Sequence, residues 1–368
     1  MAEKKTPGNA GLSNANRNKK DEFYTDLTDI EKELRYHRKH FKGKTVLCNC
    51  DDPFESNFFK YFVLNFNRLG LEKLIATCYA TSPIANAQLS LFDVVGGDEA
   101  NRDKPYKAVV TTVYDVTGDG GIDMFDVAEL FKSGENTLTE LAGDGDFRSP
   151  ECLALLEEAD IVVTNPPFSL FREYVDVLFE HEKDFLIIGN MNAITYKEFF
   201  PLLKDNKVWV GSKTFSGGMD MVFPKERFDE DKVKKYRIDE DGNYVINIMG
   251  CIWFTNLDLK KRHEEMILIK KYNPEDYPHY DNYSAINVDK VKDIPYDYEG
   301  AMGVPITFMD KYNPDQFDIL GATESEGKGF SNGLWDENSG VAQPLINGER
   351  KYKRIFIRNK HPEPREEG

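Results

Sequence analysis

The 368 residues carry a net charge of −17 and a mean hydropathy of −0.55. That length holds a large α/β domain plus a smaller one, and the acidic balance speaks against indiscriminate binding to a polyanion. No stretch approaches the ~20 apolar residues of a membrane span; the N-terminus lacks a signal-peptide core; and five cysteines without a Cys-x-x-Cys pair fit a reduced, cytoplasmic compartment.

Residues 1–20, rich in Asn, Lys and Gly, have no apolar period and read as a flexible basic arm. Thr28-x-x-Glu31 is a capping box that predicts a helix to about His40. Thr45–Asn49 reads as the first strand and Cys50-Asp51-Asp52-Pro53 as its turn. An aromatic-rich helix is expected over Asn57–Leu69, closed by Gly70, and a second strand over Lys73–Tyr79, completing a βαβ unit. Further on, strands are predicted at Ala108–Val113, Ile161–Val163, Lys183–Gly189, Lys207–Val210 and, as one long alternating strand, Asn243–Phe254. Helices are predicted at Phe125–Lys132, Pro150–Glu158, Ser169–Glu180 and Tyr196–Leu203. The polar segment 212–242 reads as an excursion between late strands. From about residue 271, Pro, Tyr, Asn and Asp dominate and the strands shorten.

Asp160-Ile-Val-Val-Thr-Asn-Pro-Pro-Phe168 is the most informative stretch. Ile161, Val162 and Val163 have the composition of a strand buried on both faces. Pro166 and Pro167 end it, because neither has an N–H to give to a ladder. In open α/β sheets, ligands bind beyond the carboxyl ends of the strands. There the Asn165 side-chain oxygen and the Pro166 carbonyl can hold the two hydrogens of an exocyclic amine, and Phe168 can stack on the base. The alternative reading is an ordinary strand end followed by a proline turn.

This tetrapeptide resembles the signature of the amino-group methyltransferases that use S-adenosylmethionine. The order Tyr24-Thr25, first-strand loop, Asp146-Phe147, Asn-Pro-Pro-Phe resembles the γ arrangement of N6-adenine DNA methyltransferases. The match is closest to the adenine-specific family typified by the EcoRI modification enzyme, carried by Val46–Pro53, Leu74–Tyr79 and Thr164–Phe168 and extending over most of residues 15–320. The resemblance implies a Rossmann-like fold with a seven-strand mixed sheet, and catalysis by Asn165, Pro166, Pro167 and Phe168 on a flipped adenine. It further implies a site-specific DNA adenine methyltransferase, with a cognate restriction endonuclease as a partner at the same site. The same tetrapeptide also serves enzymes that methylate glutamine amides or RNA exocyclic amines.

On the cofactor side, the expected S-adenosylmethionine contacts are Tyr24, Thr25, Asn49, Cys50, Asp51, Asp52, Pro53, Cys78, Asp146 and Phe147. Tyr24 and Thr25 face the methionyl carboxylate, Asp51 and Asp52 the ammonium or ribose, and Asp146 with Phe147 the adenine. Two departures stand out. The first-strand loop has no glycine, and the second strand ends in Cys78-Tyr79 where a ribose-binding acid is usual. Asp51 or Asp52 is expected to take over the acidic role.

Double-stranded DNA is the expected partner, with no membrane, and a monomer is expected. Its contacts are sought in the arm, which has five Lys/Arg and no acid over residues 4–20, and in residues 349–360, with six Lys/Arg against one Glu. The expected organisation is the arm 1–20, a methyltransferase domain 21–270 and a DNA target-recognition region 271–368. No metal is expected at the catalytic site. The segment Asp115–Asp126 nonetheless matches a calcium-loop template, with Thr117 and Asp126 departing from it; the plain alternative is an acidic surface turn.

Overall fold

The computed structural model describes residues 24–50, 56–78, 105–223, 233, 235–240, 242–324 and 328–363. The chain divides into two compact units, residues 1–190 with 216–257, and residues 191–215 with 258–368.

The first unit is built on a mixed sheet. Its parallel centre is β2 (Thr45–Cys48), β3 (Lys73–Thr77), β6 (Ile161–Thr164) and β7 (Asp184–Asn190). All residues of β2 and β6 are buried, as strands covered on both faces must be. Antiparallel strands flank this centre: β4 (Tyr106–Val110) and β5 (Thr137–Glu140) beyond β3, and β12 (Cys251–Thr255) beyond β7. The strand order is β5-β4-β3-β2-β6-β7-β12-β8, eight strands where seven were expected; the two-residue β8 (Trp209–Val210) falls outside the residues of this unit. A second sheet, β1-β9-β11-β10, joins β1 (Tyr24–Thr25), β9 (Met219–Phe223), β10 (Arg237–Ile238) and β11 (Tyr244–Ile248).

Helix α1 (Leu27–Leu34) is capped by Asp26, whose carboxylate accepts from the Thr28 amide, so the cap lies two residues before the expected Thr28. The short α2 (Arg38–Phe41) follows it. The aromatic helix is two pieces, α3 (Asn57–Leu64) and α4 (Phe66–Leu69), parted at Asn65 and closed by Gly70 at φ +66°. Ser56 caps α3 by accepting from Phe58 and Phe59. Phe58, Phe59 and Phe62 are buried against the sheet, Phe58 lying edge-on to Trp253 at 5.9 Å.

Next come α5 (Met124–Lys132), α6 (Pro150–Glu158), α7 (Phe171–Glu180) and α8 (Phe200–Lys204). The last is shorter than the predicted Tyr196–Leu203. The predicted long strand over Asn243–Phe254 is in fact β11 and β12 in different sheets. Met249 and Gly250, the latter at φ +83°, make the turn between them.

The second unit carries a sheet in the order β13-β14-β18-β15, from β13 (Ile286–Asn287), β14 (Met302–Pro305), β15 (Phe317–Ala322) and β18 (Arg354–Asn359). A hairpin of β16 (Leu345–Ile346) and β17 (Glu349–Arg350) completes its strands. Tyr280, Tyr283 and Phe356 form a buried aromatic core, with Tyr283 and Phe356 stacked at 4.8 Å. Among the described residues no helix is long and apolar enough to cross a membrane.

Candidate active site

Strands β2 and β6 are parallel neighbours, with Val46 opposite Ile161 and Leu47 opposite Val162. The residues that follow them, Asn49 and Asn165, therefore emerge at the same edge of the sheet. Both are buried, at 8% and 6% exposure. Pro166 is buried beside Asn165, and no donor among the described residues engages its carbonyl. Pro167 and Phe168 are half-buried; Pro167 lies at φ −55°, ψ 127° and its carbonyl accepts from Leu170, starting a single 3₁₀ turn that leads into α7. Phe168 packs against the main core.

Helix α7 connects this corner to the end of β2. The buried Tyr174 hydroxyl donates to Asn49 Oδ1 at 2.5 Å. Burial raises the Tyr174 phenol well above its ordinary range, so it stays protonated as the donor. Asn49 also receives the Cys50 thiol at 3.7 Å. Phe147 lies edge-on to Tyr174 at 5.0 Å, so the Asp146-Phe147 loop joins the same cluster.

That loop reaches the end of β3 through Gly145. Gly145 has φ +81°, and a Cβ there would lie 2.2 Å from the Cys78 carbonyl oxygen. Only glycine allows this approach, which puts Cys78 and Asp146-Phe147 side by side. Asp146 Oδ1 accepts from the Arg148 amide at 2.8 Å and from Nε at 2.9 Å, and Oδ2 accepts from the guanidinium at 2.7 Å. Arg148's guanidinium holds the Asp146 carboxyl below its usual range. Arg148 also bonds Glu173 of α7 at 2.5 Å. Asp146 thus already carries a cation, and any further donor would share its oxygens with Arg148.

Tyr24 and Thr25 are buried in β1, paired with Val222 and Met221 of β9. The Asn57 side chain at the start of α3 donates to the Thr25 carbonyl at 2.8 Å. Residues 24–25 are therefore tied to the helix that follows the first-strand loop. Asp51, Asp52 and Pro53 of that loop lie outside the described residues, as does the arm 1–20.

Two buried hydroxyls, Thr25 Oγ1 in β1 and Thr77 Oγ1 at the end of β3, have no hydrogen-bond partner among the described residues. A buried hydroxyl without a partner is costly, and it suits a polar cofactor. Thr77, Arg148 and Tyr174 were not among the expected site residues. Tyr174 looked like core because it shares an apolar helical face with Phe171, Val175 and Leu178.

The loop that matched a calcium template uses its carboxylates internally. Asp115 accepts from Thr117, Gly118 and Gly120, and Asp126 accepts from Val116, Thr117 and Asp123. Among the described residues no group of three or more acids, histidines or cysteines is arranged to hold a metal. In the basic run 349–360, Arg358 and Lys360 pair with Asp318. Arg354 is 7% exposed and lies 3.6 Å from Asp289, and Lys351 lies 3.8 Å from Glu349, so four of the six cations of that run face acids of their own chain.

The family described as Adenine-specific methyltransferase EcoRI matches residues 11–360. The chain is 45% identical to the Type II methyltransferase M.EcoRI of Escherichia coli over 352 residues, covering 95% of this chain and 96% of that protein. It is 33% identical to M.MgeORF184P of Mycoplasma genitalium, covering 94% and 98%, and 33% identical to M.MpnI of Mycoplasma pneumoniae, covering 95% and 98%. No solved structure matches. An apolar parallel strand ending in Asn-Pro-Pro-Phe, a buried asparagine at the end of the neighbouring strand and the near full-length match agree: the chain belongs to the EcoRI family of adenine-specific methyltransferases.

Proposed function

We propose that the protein is a site-specific DNA adenine N6-methyltransferase of a restriction–modification system. In this reading it has a Rossmann-like catalytic domain, takes its methyl group from S-adenosylmethionine and acts on an adenine flipped out of duplex DNA. The observation that carries the reading is the placement of Asn165 and Pro166 beyond β6, at the same sheet edge as Asn49, with Tyr174 bridging the two sides.

The residues fit the cofactor. Thr25 and Thr77 offer buried hydroxyls, Asn49 and Cys50 follow the first strand, and Phe147 supplies an aromatic wall beside Cys78. With Tyr24, and with Asp51, Asp52 and Pro53 in the adjoining loop, these residues would hold S-adenosylmethionine, which supplies an electrophilic methyl sulfonium. Asp146, held as a carboxylate by Arg148, would accept from the cofactor's adenine amine.

The chain's own groups then handle the target amine. Asn165 Oδ1 and the Pro166 carbonyl each accept one of its hydrogens, which favours a pyramidal nitrogen with its lone pair directed at the methyl group. The new N–C bond forms as the S–C bond breaks, and the surplus proton leaves the nitrogen for solvent. Pro167 stiffens the turn and Phe168 stacks on the base. The region 271–368 would read the DNA site, and an endonuclease cutting that site would be the partner.

The test is transfer of labelled methyl groups from S-adenosylmethionine to plasmid DNA, with Asn165→Ala as control. Incorporation at N6 of adenine by the parent, its loss in the variant and retained cofactor binding by both are expected. Transfer to protein or RNA but not to DNA would overturn the substrate assignment.

A further inference from the structure

In the segment Met266–Lys271 of the second unit, Ile267 and Ile269 are 87% and 74% exposed. Isolated exposed aliphatics are ordinary on protein surfaces. These two are exposed at alternate positions of one short segment, and the chain is pinned at both ends. The buried Gln316 side chain brackets Met266, its Oε1 accepting from the amide at 2.8 Å and its Nε2 donating to the carbonyl at 2.7 Å. Lys270 forms a parallel bridge with Pro295, and its carbonyl accepts from Tyr296 at 2.9 Å. The Tyr272 amide donates to Asp297 at 2.7 Å. Exposure alternates along the segment: Met266 and Leu268 are half-buried, and both isoleucines lie in solvent.

The charge around the pair is opposite to that of the molecule. Residues 260–271 hold five Lys/Arg against two Glu in a chain of net charge −17. Lys260, Lys270 and Lys271 are exposed, and among the described residues none of the three is in an ion pair. A second copy of the strip would bring like charges together, whereas a polyanion would not.

We propose that Met266–Lys271 is a DNA-contacting strip, in which Ile267 and Ile269 press as apolar wedges on the base edges or steps and Lys260, Lys270 and Lys271 bind the flanking phosphates. This rests on the DNA substrate proposed above, but it concerns binding and is measured apart from chemistry.

The experiment uses full-length protein and a mixed-sequence DNA duplex, with binding followed over a salt series. Ile267→Ser/Ile269→Ser is expected to weaken binding about tenfold with the salt slope retained. Lys270→Gln/Lys271→Gln is expected to flatten the log–log slope by about 2. Unchanged cofactor binding and thermal unfolding report that the variants are folded. Parent-like affinity and slope in both variants would overturn the proposal. So would an isoleucine variant that keeps DNA affinity but loses a self-association shown by the parent in sedimentation, which would assign the strip to a second copy. If the parent binds DNA through the strip yet transfers no methyl group to it, the function assignment fails while the strip stands.

Discussion

Tyr174 and Asn49, 125 positions apart, meet in a buried 2.5 Å hydrogen bond that ties the helix behind Asn-Pro-Pro-Phe to the end of the first sheet strand. Through this bond the two halves of the proposed site, the Asn165-Pro166 corner on one side and the loop after β2 on the other, share a fixed spacing. Tyr174→Phe keeps the ring against Phe147 and removes the donor, leaving Asn49 Oδ1 with the Cys50 thiol at 3.7 Å. The expected cost is about 1–3 kcal/mol, because a buried acceptor loses its strong partner. We expect KM for S-adenosylmethionine to rise more than kcat falls. Urea unfolding and initial rates measure the two effects; a change in stability with KM and kcat both intact would make the bond purely structural.

Gly145 gives a sharper geometric test. Gly145→Ala must accommodate both φ +81° and a Cβ placed 2.2 Å from the Cys78 carbonyl oxygen. Gly134 is the control, since it shares φ +81° but has nothing within 4 Å of a built Cβ. Gly134→Ala should cost about 1 kcal/mol from the left-handed backbone alone. Gly145→Ala should cost more than that and weaken cofactor binding as Asp146 and Phe147 shift. Calorimetric unfolding of both variants would show this, and equal losses would mean that the Cys78 approach is loose.

Much of the first unit was legible because its signals are local. The β-branched run Ile161–Val163 and the double proline mark β6 and its abrupt end, and Gly70 marks a helix end by capping chemistry. What failed is what tertiary packing decides. Residues 243–254 read as one strand, yet the left-handed Gly250 splits them between two sheets. Residues 57–69 look like one helix, but the chain breaks at Asn65, whose side chain turns back to the Tyr61 carbonyl. At the site, Asn165 and Asn49 could be named from strand ends. Tyr174 could not, because an apolar helical period does not reveal which tyrosine turns its hydroxyl to a loop 125 residues away.

Asp126 carries a pH prediction. Amides of Asp123 and Thr117, with Val116, donate to its carboxylate and hold it below the usual carboxyl range. A depressed carboxyl contributes stability that is complete above its unfolded value and is lost as pH falls through its folded value. Asp126→Asn should therefore melt lower than the parent at neutral pH, with the difference shrinking in acid below the ordinary Asp range. Thermal unfolding across pH tests this. Calcium should leave the parent's melting temperature unchanged, since Asp115 and Asp126 already serve backbone amides; a rise with calcium would revive the ion-binding reading of this loop.

The buried hydroxyls of Thr25 and Thr77 separate stability from binding. Each lacks a hydrogen-bond partner among the described residues, so each exacts a desolvation cost of order 1–3 kcal/mol that the isosteric valine would remove. Thr25→Val and Thr77→Val are accordingly expected to leave the unliganded protein as stable as the parent or more so. If these hydroxyls face the cofactor, the same substitutions weaken S-adenosylmethionine binding about tenfold, and the thermal stabilisation that saturating cofactor gives the parent shrinks to match. Melting curves with and without cofactor read both quantities from one sample. Parent-like cofactor stabilisation in both variants would place the cofactor's polar groups elsewhere along the carboxyl edge of the sheet, and would leave Asn49 and Cys50 to carry that role within the described residues.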